Sequence, residues 1–196
     1  TAVMLLVDDG KVELDKPVTA YLPEFTMADE RYKDITVRML LNHTSGLPGT
    51  IAPNAYGYEY NPDYTASVLE ILADSRLKHR PGEMAPYCND GFTLAEMLVV
   101  RVSGKSFIDF LDERIFRPLA LNHTGPSVGQ RTAEKGTVIA KFYNASGKDE
   151  PLEVQSMQGT GGLSATAEDL CKFADSFSPG GRHILSEASL AEMKKA

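Results

Sequence analysis

Cysteine is scarce in this sequence, with only Cys88 and Cys171 present. Two cysteines cannot build a disulfide framework, and they lack the paired C-x-x-C spacing of a zinc site. Both read as free thiols. No apolar run approaches the roughly 20 residues that cross a bilayer. No charged n-region, apolar h-region and cleavage site can be read at Thr1, although a start upstream of it would hide one. Basic residues are also few. The 20 Lys and Arg stand against 27 Asp and Glu, for a net charge of −7. That balance argues against nucleic acid as a partner, because phosphate binding needs clustered cations to displace counterions. The pair Lys194-Lys195 reads as a solvated face. The histidines His43, His79, His123 and His183 lack the i, i+4 spacing that lets two of them share one metal, so no metal site is expected. No G-x-S-x-G elbow supports an α/β-hydrolase triad. Gly159-Thr-Gly-Gly162 lacks the Lys-Ser/Thr that would make it a phosphate loop. Repeats, low-complexity tracts and charge-rich linkers are missing too, so nothing divides the chain.

What is present is the composition of a globular domain. Hydrophobic residues make up 42% and charged residues 24% of 196 positions, and a chain of this length removes roughly 70% of its unfolded surface from water. One domain over residues 1–196 is expected. Thr1 to Gly10 reads as a helix entered midway and closed by a left-handed glycine. Thr36 can cap a short, largely buried helix from Val37 to Leu41. From Leu47 to Asp63 the chain is rich in Gly, Pro, Asn and Tyr, a long loop of the kind kept for binding or gating. A helix follows from Tyr64 to Leu72, and Arg80-Pro81-Gly82 breaks the chain before Tyr87-Cys88-Asn89. Asn89 or Asp90 can cap a strongly apolar helix through Leu94, Met97, Leu98 and Val102, closed by Ser103-Gly104. Ser106, Thr166 and Ser186 each start a further helix, with Thr166-Ala-Glu-Asp169 resembling a capping box. Cys171, inside one of these apolar runs, reads as a small core residue. Val138 to Val154 holds two short alternating segments around Ala145-Ser-Gly147, the strongest strand signal in the chain and the mark of a hairpin. The chain is therefore expected to be mostly helical with one hairpin.

Several phrases occur in a fixed order. They are Ile35-Thr-Val-Arg-Met-Leu-Leu-Asn-His-Thr-Ser-Gly-Leu47; Pro81-Gly82 followed by Tyr87-Cys-Asn89 and Gly91-Phe92; Val102-Ser-Gly-Lys-Ser-Phe107 with Ile115-Phe-Arg-Pro-Leu119 and Thr124; and Gly161-Gly-Leu-Ser-Ala-Thr-Ala-Glu-Asp-Leu170. Together they resemble the serine β-lactamases of class C type and their penicillin-binding-protein, D-alanyl-D-alanine carboxypeptidase and esterase relatives, along nearly the whole chain. The resemblance implies an α+β fold of β-lactamase/transpeptidase type, of which this chain holds mainly the helical domain and a short hairpin, with the end strands of the sheet outside it.

For the site, the resemblance implies that Tyr87 is catalytic, moving protons to and from a nucleophile and leaving group. Taken alone, Tyr87 would be an ordinary half-buried tyrosine with a wet hydroxyl. Asn89 would be substrate-binding, its amide orienting a substrate carbonyl, against a plain reading as a helix cap. The His43-Thr-Ser-Gly46 segment reads as a structural turn. Cys88 stands where the family has Ser, and no histidine is placed by sequence to serve it as a base. The nucleophile and lysine of S-x-x-K are expected upstream of Thr1, and the K/H-(S/T)-G motif beyond Ala196. Two literal matches, Ser75-Arg-Leu-Lys78 and His123-Thr-Gly125, sit in the wrong place in the order and are set aside. The implied function is a serine acyl hydrolase working through an acyl-enzyme, needing no cofactor and no metal. Its partner is a small-molecule substrate: a β-lactam, a D-Ala-D-Ala peptide or an ester. The 196-residue chain alone is expected to be inactive, and the family's cell-wall members point to an extracytoplasmic location. Oligomeric state is left open. The alternative is a noncatalytic helical module that binds a ligand or partner.

Overall fold

The longest helix of the chain, with a broad apolar face, is the one around which the others pack. In the computed structural model, which describes residues 1–127 and 139–195, this helix runs Asn89–Ser103. We number helices and strands in chain order, which makes it α4. It buries Gly91, Leu94, Ala95, Leu98 and Val99, one continuous stripe at helical spacing, and Gly104 at φ 69° ends it in the left-handed cap.

Around α4 pack α1 (Ala2–Asp8), α2 (Val37–Leu41), α3 (Tyr64–Ala73) and α5 (Phe107–Leu111). The closest approach is to α2. A Cβ on Gly91 would stand 3.0 Å from the Leu40 carbonyl oxygen, so the absence of a side chain there lets the two helices touch. Thr36 caps α2 as expected, its hydroxyl accepting the Met39 N–H. Gly10, at φ 70°, ends the turn after α1 with its N–H on the Val7 carbonyl. Leu6, Leu40, Leu94 and Leu98 are fully buried where these helices meet.

Ser106 caps α5, accepting the Asp109 N–H at 3.1 Å. The chain then widens into a π-helical turn, Asp112–Phe116, that buries Ile115 and Phe116. The helices α6 (Ala167–Asp175) and α7 (Glu187–Met193) start at Thr166 and Ser186, both of which cap through their hydroxyls. Asp8 of α1 accepts hydrogen bonds from the Ser186 N–H, the Ser186 hydroxyl and the Ser189 hydroxyl at 2.8, 2.6 and 2.6 Å. These bonds fasten α7 to α1, and they hold the Asp8 carboxyl below its ordinary pKa although its burial pushes the other way.

The strands are two residues long and antiparallel. β3 (Phe142–Tyr143) and β4 (Asp149–Glu150) form the expected hairpin. Asn144 accepts the Ser146 and Lys148 N–H groups at its turn, and Gly147 takes φ 77°. Val138, where the alternating pattern begins, lies outside the described residues. Two further pairs were not legible in the sequence: β1 (Tyr56–Gly57) with β5 (Val154–Gln155), and β2 (Gly125–Pro126) with β6 (Leu163–Ser164). Pairs this short leave no run of alternation to read.

Three local expectations are corrected. Cys171 is exposed rather than in the core, because α6 lies on the surface with Asp169 as its one buried residue and with Leu170 itself 58% exposed. Neither Asn89 nor Asp90 caps α4: the cap position is Cys88, without a side-chain bond, and Asn89 is already helical. The Asp169 carboxylate is committed elsewhere than a capping box, to the His123 N–H at 2.7 Å and the Thr124 hydroxyl at 3.0 Å. That leaves His123 and Thr124 in a turn held by α6, with Gly125 opening β2.

Candidate active site

The site is assembled from two strips of chain that lie side by side. Residues 78–82 bond back to the turn at 44–46, with the Lys78 N–H on the Gly46 carbonyl and the Gly82 N–H on the Thr44 carbonyl, both at 2.8 Å. Gly46 is required here twice over. Its φ is 80°, and a Cβ would lie 2.5 Å from the His79 carbonyl oxygen.

The next link is His43, itself at φ 63°. Its Nδ1 accepts the Cys88 backbone N–H at 3.1 Å, which requires Nδ1 to be unprotonated. Its ring lies between Tyr87 (centroids 4.7 Å apart, 36° between planes) and Phe92 (5.2 Å, 42°). The His43–Gly46 turn thus has a structural task, as the sequence suggested.

Cys88 is extended, at φ −144° and ψ 109°. Its side chain turns into the core while Tyr87 turns outward, and Asn89, the first helical residue after Cys88, is partly exposed. Cys88 is buried at 3% exposure whereas Tyr87 is 72% exposed. Burial pushes the Cys88 thiol pKa up, the opposite of what a cysteine nucleophile needs.

Asn89 begins α4 and is fixed at both ends. Its backbone N–H donates to the Gly49 carbonyl at 2.6 Å, and its Nδ2 donates to the Thr50 hydroxyl at 3.0 Å. The amide's second N–H and its carbonyl oxygen are left for another partner. Asp90, 1% exposed, accepts the Gly49 and Ile51 N–H groups at 2.7 and 2.6 Å. Burial pushes its carboxyl pKa up, opposed by those two bonds and by the Lys78 charge. The start of α4 is therefore clamped to the loop that runs from Leu47 to Asp63. Sequence reasoning missed this clamp, because nothing local distinguishes a buried aspartate after Asn89 from a solvated one.

Of the residues singled out in the sequence, the structure brings Tyr87, Asn89 and His43 together. It keeps Ser75 apart: that hydroxyl donates to the Ile71 carbonyl at 2.7 Å, one turn back at the end of α3. Among the described residues, no three His, Cys, Asp or Glu side chains are placed to share a metal ion, and no helix is long and apolar enough to cross a membrane.

Comparison with known proteins gives a consistent picture. The family model described as Beta-lactamase matches residues 1–196. Over 206 aligned residues the chain is 30% identical to penicillin-binding protein 4 of Amycolatopsis lactamdurans, a match covering 100% of this chain and 53% of that protein. It superposes on the D-amino acid amidase from Ochrobactrum anthropi SV3, complexed with L-phenylalanine, with TM-score 0.77 and 28% identity over 99% of this chain and 55% of the amidase. The octameric penicillin-binding protein homologue from Pyrococcus abyssi shares the fold, at TM-score 0.77 and 24% identity over 100% of this chain and 46% of its own. The chain spans about half the length of the relatives it matches.

Proposed function

The chain belongs to the beta-lactamase family of hydrolases, and from that premise we propose that it carries the Tyr87 and Asn89 part of a serine acyl hydrolase active site. The observation that supports this most directly is the Tyr87-Cys88-Asn89 segment that leads into α4. It offers a phenol and an amide on one accessible face while burying the thiol between them.

In the longer protein, a serine of an S-x-x-K segment preceding Thr1 attacks the carbonyl carbon of an amide or ester. The serine proton passes by way of Tyr87 to the departing nitrogen or oxygen as its bond to carbon breaks. Asn89 holds the acyl portion through its free amide groups, which limits the orientations the substrate can take. Water then cleaves the acyl-serine ester, with Tyr87 assisting in the reverse sense. The substrate is a β-lactam, a D-Ala-D-Ala peptide or a small ester, handled outside the cytoplasm, and the chemistry calls on no metal or organic cofactor. The 196 residues alone, lacking the acyl acceptor, hydrolyse neither nitrocefin nor p-nitrophenyl acetate above background.

The test is to locate the acyl group. The longer protein is incubated with a penicillin or an activated ester, quenched, digested and examined by mass spectrometry. An adduct on a serine of S-x-x-K supports the assignment. An adduct on Cys88 or Ser75, or turnover by the 196-residue chain that Ser75→Ala abolishes, overturns it.

A further inference from the structure

Glu96 stands on α4 seven residues past Asn89, about 10 Å along the helix axis, and is only 6% exposed. Its Oε2 accepts the Gly159 N–H at 2.7 Å, and no cationic side chain pairs with it among the described residues. Burial pushes its pKa up to about 7. An acceptor for one backbone N–H does not require a charge. The amide oxygen of a glutamine would serve as well without the cost of desolvating a carboxylate.

The surroundings of Glu96 supply a reason for that charge. It lines a cavity of about 320 Å³ whose wall includes Tyr60, Tyr64, Phe107, Ser156 and Gln158, a volume at the small end of ligand sites. The cation on this wall is Arg101, which is already paired with Glu24. Glu96 is the carboxylate left uncompensated. Aromatic rings beside it suit a cation, since the faces of Tyr60, Tyr64 and Phe107 carry the negative part of the ring quadrupole. Ser156 and Gln158 offer oxygen acceptors to the hydrogens of such a group.

We propose that this cavity is a binding site for a primary ammonium group, with Glu96 as its counter-ion and the aromatic wall receiving the organic part of the ligand. The site is separate from the Tyr87 and Asn89 face, and its chemistry does not rest on acyl transfer there. The groups that face Glu96 define its pH behaviour. Tyr60 and Tyr64 lie near enough for its charge to add to the effect of burial in raising their phenols. Glu24 and Arg101 line the same cavity and pair with each other. Asp90 is on the same helix, and Asp169 faces the apolar cavity on the other side of Glu96. The Thr1 amine also lines that apolar cavity, and burial pushes its pKa down to about 6, so none of these groups contributes a free cation at about pH 8, and a bound ammonium group supplies one.

The probe is 2-phenylethylamine, an alkylamine that stays protonated well above neutral pH, titrated calorimetrically into the 196-residue chain. At about pH 8, where Glu96 is ionised, saturable one-to-one binding is expected. At about pH 5.5, where Glu96 is protonated, affinity falls at least about tenfold. The neutral analogue 2-phenylethanol binds at least about tenfold more weakly at either pH. Glu96→Gln, which keeps an acceptor for Gly159, lowers affinity for the amine to the level of the alcohol. Val100→Phe fills the mouth of the cavity from a half-exposed position. It abolishes binding with the thermal midpoint unchanged, while Glu96 stays in place. Equal affinity for amine and alcohol, wild-type affinity in either variant, or no saturable binding at about pH 8 would each overturn the proposal.

Discussion

His43 accepts the backbone N–H of Cys88 through Nδ1 at 3.1 Å, and in doing so joins two phrases that lie 45 residues apart in the chain. Replacing it removes an acceptor from a partly buried N–H and a ring from between Tyr87 and Phe92. His43→Ala is expected to lower stability by about 1–3 kcal/mol, measured as a fall in the urea midpoint at unchanged slope. His43→Asn, which tolerates the left-handed φ of 63°, should recover a few tenths of that. No loss in His43→Ala would mean that the Cys88 N–H finds water instead.

Tyr87 is expected to separate catalysis from folding. Its ring is 72% exposed, so Tyr87→Phe in the longer protein leaves the thermal midpoint within a degree or two, and kcat/KM for acylation falls by about 10² to 10⁴ if the phenol transfers the proton. Cys88→Ser is expected to retain most of the activity, because the Cys88 side chain is buried and burial raises its thiol pKa. Parental acylation by Tyr87→Phe, or loss of activity in Cys88→Ser, would refute these roles.

Glu96 gives the stability a definite pH dependence. Its folded pKa of about 7 lies above the ordinary value of 4.5, so folding favours the protonated acid. Its contribution is most favourable below about pH 4.5 and is lost as pH rises toward about 7, after which it stays constant. Glu96→Gln cannot ionise. The variant should therefore gain on the wild type across that window, by an amount on the order of 3 kcal/mol for a fully desolvated carboxylate. Chemical denaturation at a series of pH values reads the difference directly. A difference that does not change between pH 4.5 and pH 7 would show that Glu96 titrates normally.

The two thiols should react very differently. Cys171 is exposed, whereas Cys88 is buried and its thiolate is disfavoured by that burial. Iodoacetamide is expected to modify Cys171 under native conditions and to reach Cys88 at least about a hundredfold more slowly, through opening of the fold. Comparable native rates, followed by peptide mapping, would contradict the placement of Cys88.

How much of this was legible beforehand follows from what is local. The caps at Thr36, Ser106, Thr166 and Ser186 are hydroxyls one turn before the N–H they satisfy, and the apolar stripe of α4 lies within a single helix, so sequence alone places them. Tyr87 and Asn89 are candidates through the phrase that contains them. The sequence points wrongly for Asp90 and Cys171 and carries no signal for Glu96, because burial of a side chain depends on which segment arrives to cover it. The loop at Gly49–Ile51 covers Asp90, the turn at Gly159 meets Glu96, and Cys171 is left uncovered. The pairing of β1 with β5 belongs to the same class: two residues of contact with no periodicity to announce it.

That pairing also bears on the order of events when the chain folds. β1 and β5 come from opposite halves of the sequence, and Tyr56 reaches Met157 as well, its hydroxyl 3.7 Å from the sulfur. Closing so large a loop costs entropy before the few hydrogen bonds of the ladder can repay it. The individual helices and their local caps are therefore expected to form before the segment from Leu47 to Asp63 settles onto residues 154–157. The face bearing Tyr87 and Asn89 is tied to that long-range closure, since Asn89 and Asp90 are bonded to the same segment.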